Sequence, residues 1–198
     1  MHNPAQARDV HIADSLSALE VPDVREATRI ADLGSGAGPP GLVLAVALPD
    51  AEVTLVESVG KKCAWMEATV ERLGLANVRV VCARAEELEE DPFDVVTARA
   101  LGALPVLCEY AAPLLREGGV LVAWKGAVDA VEGADGLAAA EILGLEREAV
   151  LAVRPYPGSE RRALHVFRKV GPTPERYPRR PGMAAKRPLS ARSRRADR

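Results

Sequence analysis

Ala31-Asp32-Leu33-Gly34-Ser35-Gly36-Ala37-Gly38-Pro39-Pro40-Gly41-Leu42 compresses the end of an apolar strand, a turn almost bare of side chains and the start of a helix into twelve residues. Arg29 to Leu33 reads as a short buried strand. The alternating glycines then let the backbone take positive φ and come close to a ligand, and Pro40 suits the first turn of a helix. A helix N-terminus carries unpaired N–H groups and a partial positive charge, so the turn is built to hold polar or anionic groups. Spacing narrows the ligand. The stretch is G-x-G-x-G rather than the G-x-G-x-x-G of a dinucleotide fold, and no lysine occurs between Arg29 and Lys61, which excludes a P-loop.

Ala51 to Glu57 reads as a second strand ending in an acid nineteen positions after Gly38. A carboxylate there can accept both ribose hydroxyls of an adenosine. Gly34, Gly36, Gly38 and Glu57 are therefore expected at an adenosine-bearing cofactor. Downstream, strands at about 77–81, 93–97, 120–124, 148–153 and 163–168 alternate with helices at about 60–73, 103–115 and 130–143. This pattern predicts an α/β fold with a doubly wound, mainly parallel seven-stranded sheet and an antiparallel last strand. Arg116-Glu117-Gly118-Gly119 reads as the C-cap turn of the helix before strand five.

Composition supports one globular domain. Of 198 residues, 48% are hydrophobic and only 4% aromatic, so Leu, Val and Ala must fill the core. Neither a membrane-length apolar run nor a signal pattern is visible, and a cytoplasmic protein is expected. Cys63, Cys82 and Cys108 lack metal or disulfide spacing; no metal is expected. The net charge of −2 conceals a division. From Arg154 onward 14 Lys and Arg face 3 Asp and Glu, whereas the preceding residues hold 12 against 25. An acidic body with a basic end points to a polyanionic partner. Three segments follow: an N-terminal helical cap over 1–24, with Asn3-Pro4 as its start, a cofactor-binding domain over 25–170, and a Pro/Arg-rich tail over 171–198 expected to be extended or disordered. On that view, removing the tail weakens binding of the polyanion and leaves cofactor affinity intact.

In an open α/β sheet, ligands lie outside the carboxyl ends of the strands. Four tips matter: the glycine turn, Glu57, Ala85-Glu86 and Arg99. For S-adenosylmethionine they would face the methionine end, the ribose, the adenine edge, and the sulfonium with its acceptor. A nicotinamide enzyme needs a proton-relay residue, and no Tyr-x-x-x-Lys or suitably placed His is present, so an NAD-dependent oxidoreductase is the second reading. A small-molecule methyltransferase and a non-catalytic RNA-binding module are also compatible with the pattern. Val96-Thr97-Ala98-Arg99-Ala100 replaces the Asp/Asn-Pro-Pro-aromatic turn of exocyclic-amine methylation, and Cys108 falls inside a helix rather than at a nucleophile's position. The acceptor is then already nucleophilic, such as a ring nitrogen, or is a small molecule.

Asp32-Leu33-Gly34-Ser35-Gly36-Ala37-Gly38, Leu55-Val56-Glu57-Ser58-Val59-Gly60-Lys61-Lys62, Ala83-Arg84-Ala85-Glu86-Glu87, Ala98-Arg99-Ala100, Trp124-Lys125-Gly126 and the tail segment Pro172 to Gly182 together resemble the RsmG (GidB) family. The resemblance covers nearly the whole chain. It implies a Rossmann-like, class I S-adenosylmethionine-dependent methyltransferase that modifies N7 of one guanosine in small-subunit (16S) ribosomal RNA, free or in the 30S particle. It also implies that Gly34, Pro39, Ala85, Glu86 and Arg99 contact the cofactor; the family places a bulky apolar residue where Pro39 stands. Further helices precede the Asn3–Leu16 segment in the family, so a shortened cap is expected. Guanine N7 has no proton to lose, and Arg99 is assigned a positioning role without a general base. Lys125, Arg179, Arg180 and Lys186 are the candidate RNA contacts, and a monomer is expected.

Overall fold

The computed structural model describes residues 8–191; Asn3-Pro4 and the last part of the basic tail lie outside them. Seven strands form one sheet: β1 (Arg29–Leu33), β2 (Glu52–Glu57), β3 (Val78–Cys82), β4 (Phe93–Arg99), β5 (Leu115–Lys125), β6 (Leu145–Val153) and β7 (Arg162–Lys169). Their spatial order is β3-β2-β1-β4-β5-β7-β6. The first five strands pair in parallel, and β7 runs antiparallel between β5 and β6. The expected doubly wound, mainly parallel seven-stranded sheet is the fold.

Because helices cover both faces, the central strands are buried along most of their length rather than on alternate residues. Four of the five residues of β1 are buried, and so is most of β4. One face packs under α2 (Gly41–Ala47), α3 (Gly60–Leu73) and the N-terminal segment, with Ile30, Leu44, Met66 and Trp124 in contact there. That segment begins in wide π-type turns over Arg8–Ala13, tightens through Asp14–Leu16 and Ser17–Glu20, and ends in α1 (Pro22–Glu26). The other face packs under α4 (Leu104–Ala111) and α5 (Ala130–Ile142) around Phe93, Leu107, Leu121 and Leu143. All eight residues of α4 are buried, including Glu109. α5 starts where the Asp129 carboxylate accepts the N–H groups of Val131 and Glu132.

Two expectations change. Arg116–Gly119 is not a helix cap. It opens β5 as an irregularity, because pairing with β4 jumps from Phe93↔Leu115 to Val95↔Val120. Gly119 passes close to the β4 backbone, and a Cβ there would stand 2.8 Å from the Asp94 carbonyl. The second change concerns the tail. From Gly171 to Ala191 it lies against the α4 face, burying Tyr177, Ala184 and Leu189 in the core, with a short helix, α6 (Met183–Lys186). Composition alone made it look too polar to fold. Three apolar side chains and a buried acid to receive Arg179 are enough to anchor it.

Candidate cofactor cleft

The glycine turn folds over the tips of β1 and β2. Gly34 and Ser35 both donate their N–H to the Val56 carbonyl, at 2.8 and 3.1 Å. Gly34 stands at φ +66°, and a Cβ there would lie 2.6 Å from Leu101 Cδ1. A Cβ on Gly38 would lie 2.2 Å from Leu42 Cδ1. The glycines thus keep the backbone close to α2 and to the loop after β4. Asp32, which is fully buried, supports the turn from below. Its carboxylate accepts the Thr97 hydroxyl at 2.8 Å and the Gly41 N–H at the start of α2 at 3.2 Å. Burial pushes its pKa up to about 6, against the lowering effect of those donors and of Arg99.

Glu57 closes the second tip. Oε2 accepts the Gly36 N–H at 3.0 Å and faces Lys62 Nζ at 3.4 Å, while Oε1 accepts the Val59 N–H at 3.0 Å. Burial alone would raise its pKa. The Val59 N–H, the Lys62 ammonium and the Gly36 N–H outweigh that and hold it below the ordinary carboxylate value. The acid is therefore kept ionised, with a lone pair of Oε1 still available to a hydroxyl.

Past β3, Ala85–Glu87 forms a single tight turn. Glu86 faces Tyr110 of α4 and accepts the Gly182 N–H of the tail at 2.7 Å. Burial and the Glu86 charge push the Tyr110 hydroxyl up to about 12, so it remains a donor. Gly34, Glu57, Ala85, Glu86, Leu101 and Tyr110 line one cleft of about 330 Å³ with Lys62 and Ala100. Ala100, at φ +58°, is the one non-glycine residue in the left-handed region among the described residues, and it sits at this wall. Backbone strain of that kind collects at ligand sites.

Arg99 is placed differently from expectation. Its guanidinium donates to the buried Asp14 carboxylate at 2.9 Å, to the Val10 carbonyl at 3.3 Å and to the Pro39 carbonyl at 3.3 Å, with His11 Nδ1 at 3.5 Å. It ties the N-terminal segment and the glycine turn to the β4 tip. Trp124 reinforces that attachment, its indole N–H donating to the Asp14 carbonyl at 2.8 Å. Pro39 meets Arg99 through this carbonyl, and neither of the two, nor Gly36 or Gly38, is among the residues lining the cleft. Sequence reasoning passed over Asp14, although it lies in the His11-Ile12-Ala13-Asp14-Ser15-Leu16 run; an acid inside an apolar helical stripe was the available signal.

Two of the four candidate RNA contacts are corrected. Lys125 is no free strand-end cation: its ammonium donates to the Gly102 carbonyl at 3.1 Å and pairs with Glu132 at 2.6 Å. Arg179 grips the buried Glu109 through Nε at 2.8 Å and Nη2 at 2.6 Å, and its backbone N–H adds a third bond at 3.0 Å. Both charges are consumed inside the fold. Arg180 and Lys186 are exposed. Among the described residues, no group of three or more His, Cys, Asp or Glu is placed to hold a metal, and no helix is long and apolar enough to cross a membrane.

A glycine turn at the β1 tip, an ionised acid at the β2 tip and a third tip facing the same cleft, on a sheet whose last strand is reversed, define an S-adenosylmethionine-dependent methyltransferase of Rossmann-like fold. The CcbJ methyltransferase of Streptomyces caelestis superimposes with a TM-score of 0.64 at 19% identity, over 81% of this chain and 90% of that one, which bears on the fold alone. The sequence model of the GidB family, rRNA small subunit methyltransferase G, matches residues 1–160, and the chain belongs to that family. Ribosomal RNA small subunit methyltransferase G of Rubrobacter xylanophilus is 46% identical over 187 residues, covering 90% of this chain and 72% of the relative. The Roseiflexus castenholzii protein of the same name is 47% identical over 187 residues, 90% of this chain and 78% of the relative.

Proposed function

We propose that the chain transfers the methyl group of S-adenosylmethionine to N7 of one guanosine in small-subunit ribosomal RNA, acting as a cytoplasmic monomer on the free RNA or the 30S particle. The observation that carries this reading is the identity to small-subunit ribosomal RNA methyltransferases over a chain whose Gly34, Glu57 and Ala85-Glu86 line a single cleft. The residues present fit the cofactor. Absence of a Cβ at Gly34 opens one wall, ionised Glu57 would accept ribose hydroxyls, and the Ala85-Glu86 turn would flank the adenine. Gly36 and Gly38 would shape the methionine end, with Pro39 and Arg99 behind it.

When bound, the cofactor supplies an electrophilic sulfonium methyl. Guanine N7 carries an in-plane lone pair and no proton, so the protein has no proton to remove. Its residues contribute by holding two reactants in line, an effect worth about 7–11 kcal/mol when geometry is good. Arg99 serves as a positioning residue, fixing the glycine turn against the N-terminal segment through Pro39 and Asp14. Exposed Arg180 and Lys186 would meet RNA phosphates, which position RNA without reading its sequence.

The test is incubation of the full chain with methyl-labelled S-adenosylmethionine and small-subunit ribosomal RNA, free and as 30S particles, followed by mapping of N7-methylguanosine. One labelled guanosine is expected. Unlabelled RNA in both forms, from protein that still binds the cofactor, would rule the reading out.

A further inference from the structure

A second recess lies on the same edge of the sheet as the cofactor cleft. The edge runs from Arg99, opposite Trp124 in the β4–β5 register, to Lys125, opposite Ala163 in the β5–β7 register. Beyond Lys125, Gly126 and Ala127 face the β6–β7 hairpin, where Tyr156, Ser159, Arg161 and Arg162 complete a recess of about 320 Å³. The hairpin tip is held in shape. Ser159 Oγ accepts the Tyr156 N–H at 3.2 Å, and the Arg162 N–H donates to the Ser159 carbonyl at 2.9 Å.

The recess is cationic. Arg161 is exposed, and Arg154 is exposed at the foot of the same hairpin. Arg162 spans the wall, with Nη2 at 3.4 Å from the Tyr156 hydroxyl and Nε at 3.4 Å from Asp14 Oδ1. Asp14 is also the partner of Arg99, so one buried carboxylate sits between two guanidinium groups and leaves an uncompensated positive charge. The nearby acid, Glu160, receives the Gly158 N–H at 3.2 Å. Added Cβ atoms on Gly126 or Gly158 would meet nothing within 4 Å, so the walls are low and backbone-lined. Planar guanidinium forks over an open, backbone-lined recess suit the tetrahedral oxygens of a phosphodiester.

We propose that this recess seats an RNA backbone phosphate beside the target nucleotide, with Arg161 and Arg162 as its ligands and the Tyr156 ring as its wall. The proposal rests on the ribosomal RNA reading above and assigns the acceptor side of the same sheet edge. Through Asp14, Arg162 also links the phosphate seat to Arg99 at the β4 tip. Arg161 and Arg162 belong to the basic stretch that begins at Arg154 in the sequence, but neither was among the individual residues singled out there as RNA contacts.

The experiment compares the wild-type chain with Arg161→Ala, Arg161→Lys and, as a control for charge loss elsewhere, exposed Arg72→Ala. Affinity for small-subunit ribosomal RNA is measured across a salt series, with S-adenosylmethionine affinity and the KM and kcat for RNA. Arg161→Ala is expected to lower the salt slope by about one and affinity by about threefold or more. KM should rise with kcat and cofactor affinity unchanged, Arg161→Lys should recover part of the loss, and Arg72→Ala should do little. Unchanged RNA affinity and slope in Arg161→Ala, or an equal loss in Arg72→Ala, overturns the proposal. A wild-type chain that binds cofactor but methylates no ribosomal RNA would defeat the underlying reading instead, so the two failures are distinct.

Discussion

Gly34 stands where a side chain meets two obstacles, a left-handed backbone and the Leu101 side chain at the cleft wall. In Gly34→Ala the backbone strain costs about 1–2 kcal/mol, and Leu101 must swing toward the cofactor space. We expect a folded protein with a modest fall in Tm and at least a roughly tenfold loss of S-adenosylmethionine affinity by calorimetry, since about 1.4 kcal/mol of lost contact is tenfold. Undiminished affinity would move the cofactor elsewhere. Asp32 offers a pH test. Its pKa is raised from 3.8 to about 6 by burial, so the folded state binds the proton more readily than the unfolded chain. The stability it contributes is complete below about pH 4 and is lost as pH rises through 6, a difference on the order of 2–3 kcal/mol. Subtracting the urea-denaturation profile of Asp32→Asn from that of the wild type should isolate this slope; identical profiles between pH 4 and 6.5 would show that Asp32 titrates normally.

At the scale of elements, the docked tail carries the sharpest consequence. Gly171 to Ala191 buries Tyr177, Ala184 and Leu189, neutralises Glu109 through Arg179 and gives Glu86 a backbone donor at the cleft. Deleting 171–198 therefore removes core as well as charge. Arg179→Ala alone should cost about 3–5 kcal/mol, because it strands the Glu109 carboxylate in the interior. Chemical denaturation checks that figure, and Glu109→Gln in the Arg179→Ala background should recover part of it. Deletion of the tail is expected to lower both Tm and cofactor affinity, reversing the expectation drawn from composition. Retention of both would mean that the segment contributes nothing to the fold. The N-terminal segment is fastened from the opposite side of the sheet edge, by Asp14 to Arg99 and Arg162 and by the Asp14 carbonyl to Trp124.

Across the whole molecule, the fold and the cofactor class were legible because both are written in local pattern. Short apolar runs, glycines needing positive φ and an acid at a strand end each report the backbone conformation of their own few residues. Ala31 to Leu42 and Ala51 to Glu57 pointed to an adenosine cofactor at strand ends, the strand and helix alternation downstream to a doubly wound sheet, and these motifs with those near Ala85, Arg99, Lys125 and the tail carried the family resemblance. Which charges remain for RNA was decided only by the tertiary structure. Glu109 and Arg179 are 70 residues apart in sequence, and Arg99 and Asp14 are 85 apart. A guanidinium is free or consumed according to the carboxylate that the fold brings within about 3 Å of it, and no local periodicity encodes that pairing. Tyr177, Ala184 and Leu189 were likewise unreadable as core, since isolated apolar residues in a polar segment acquire a burial site only when a preformed helix face exists to receive them.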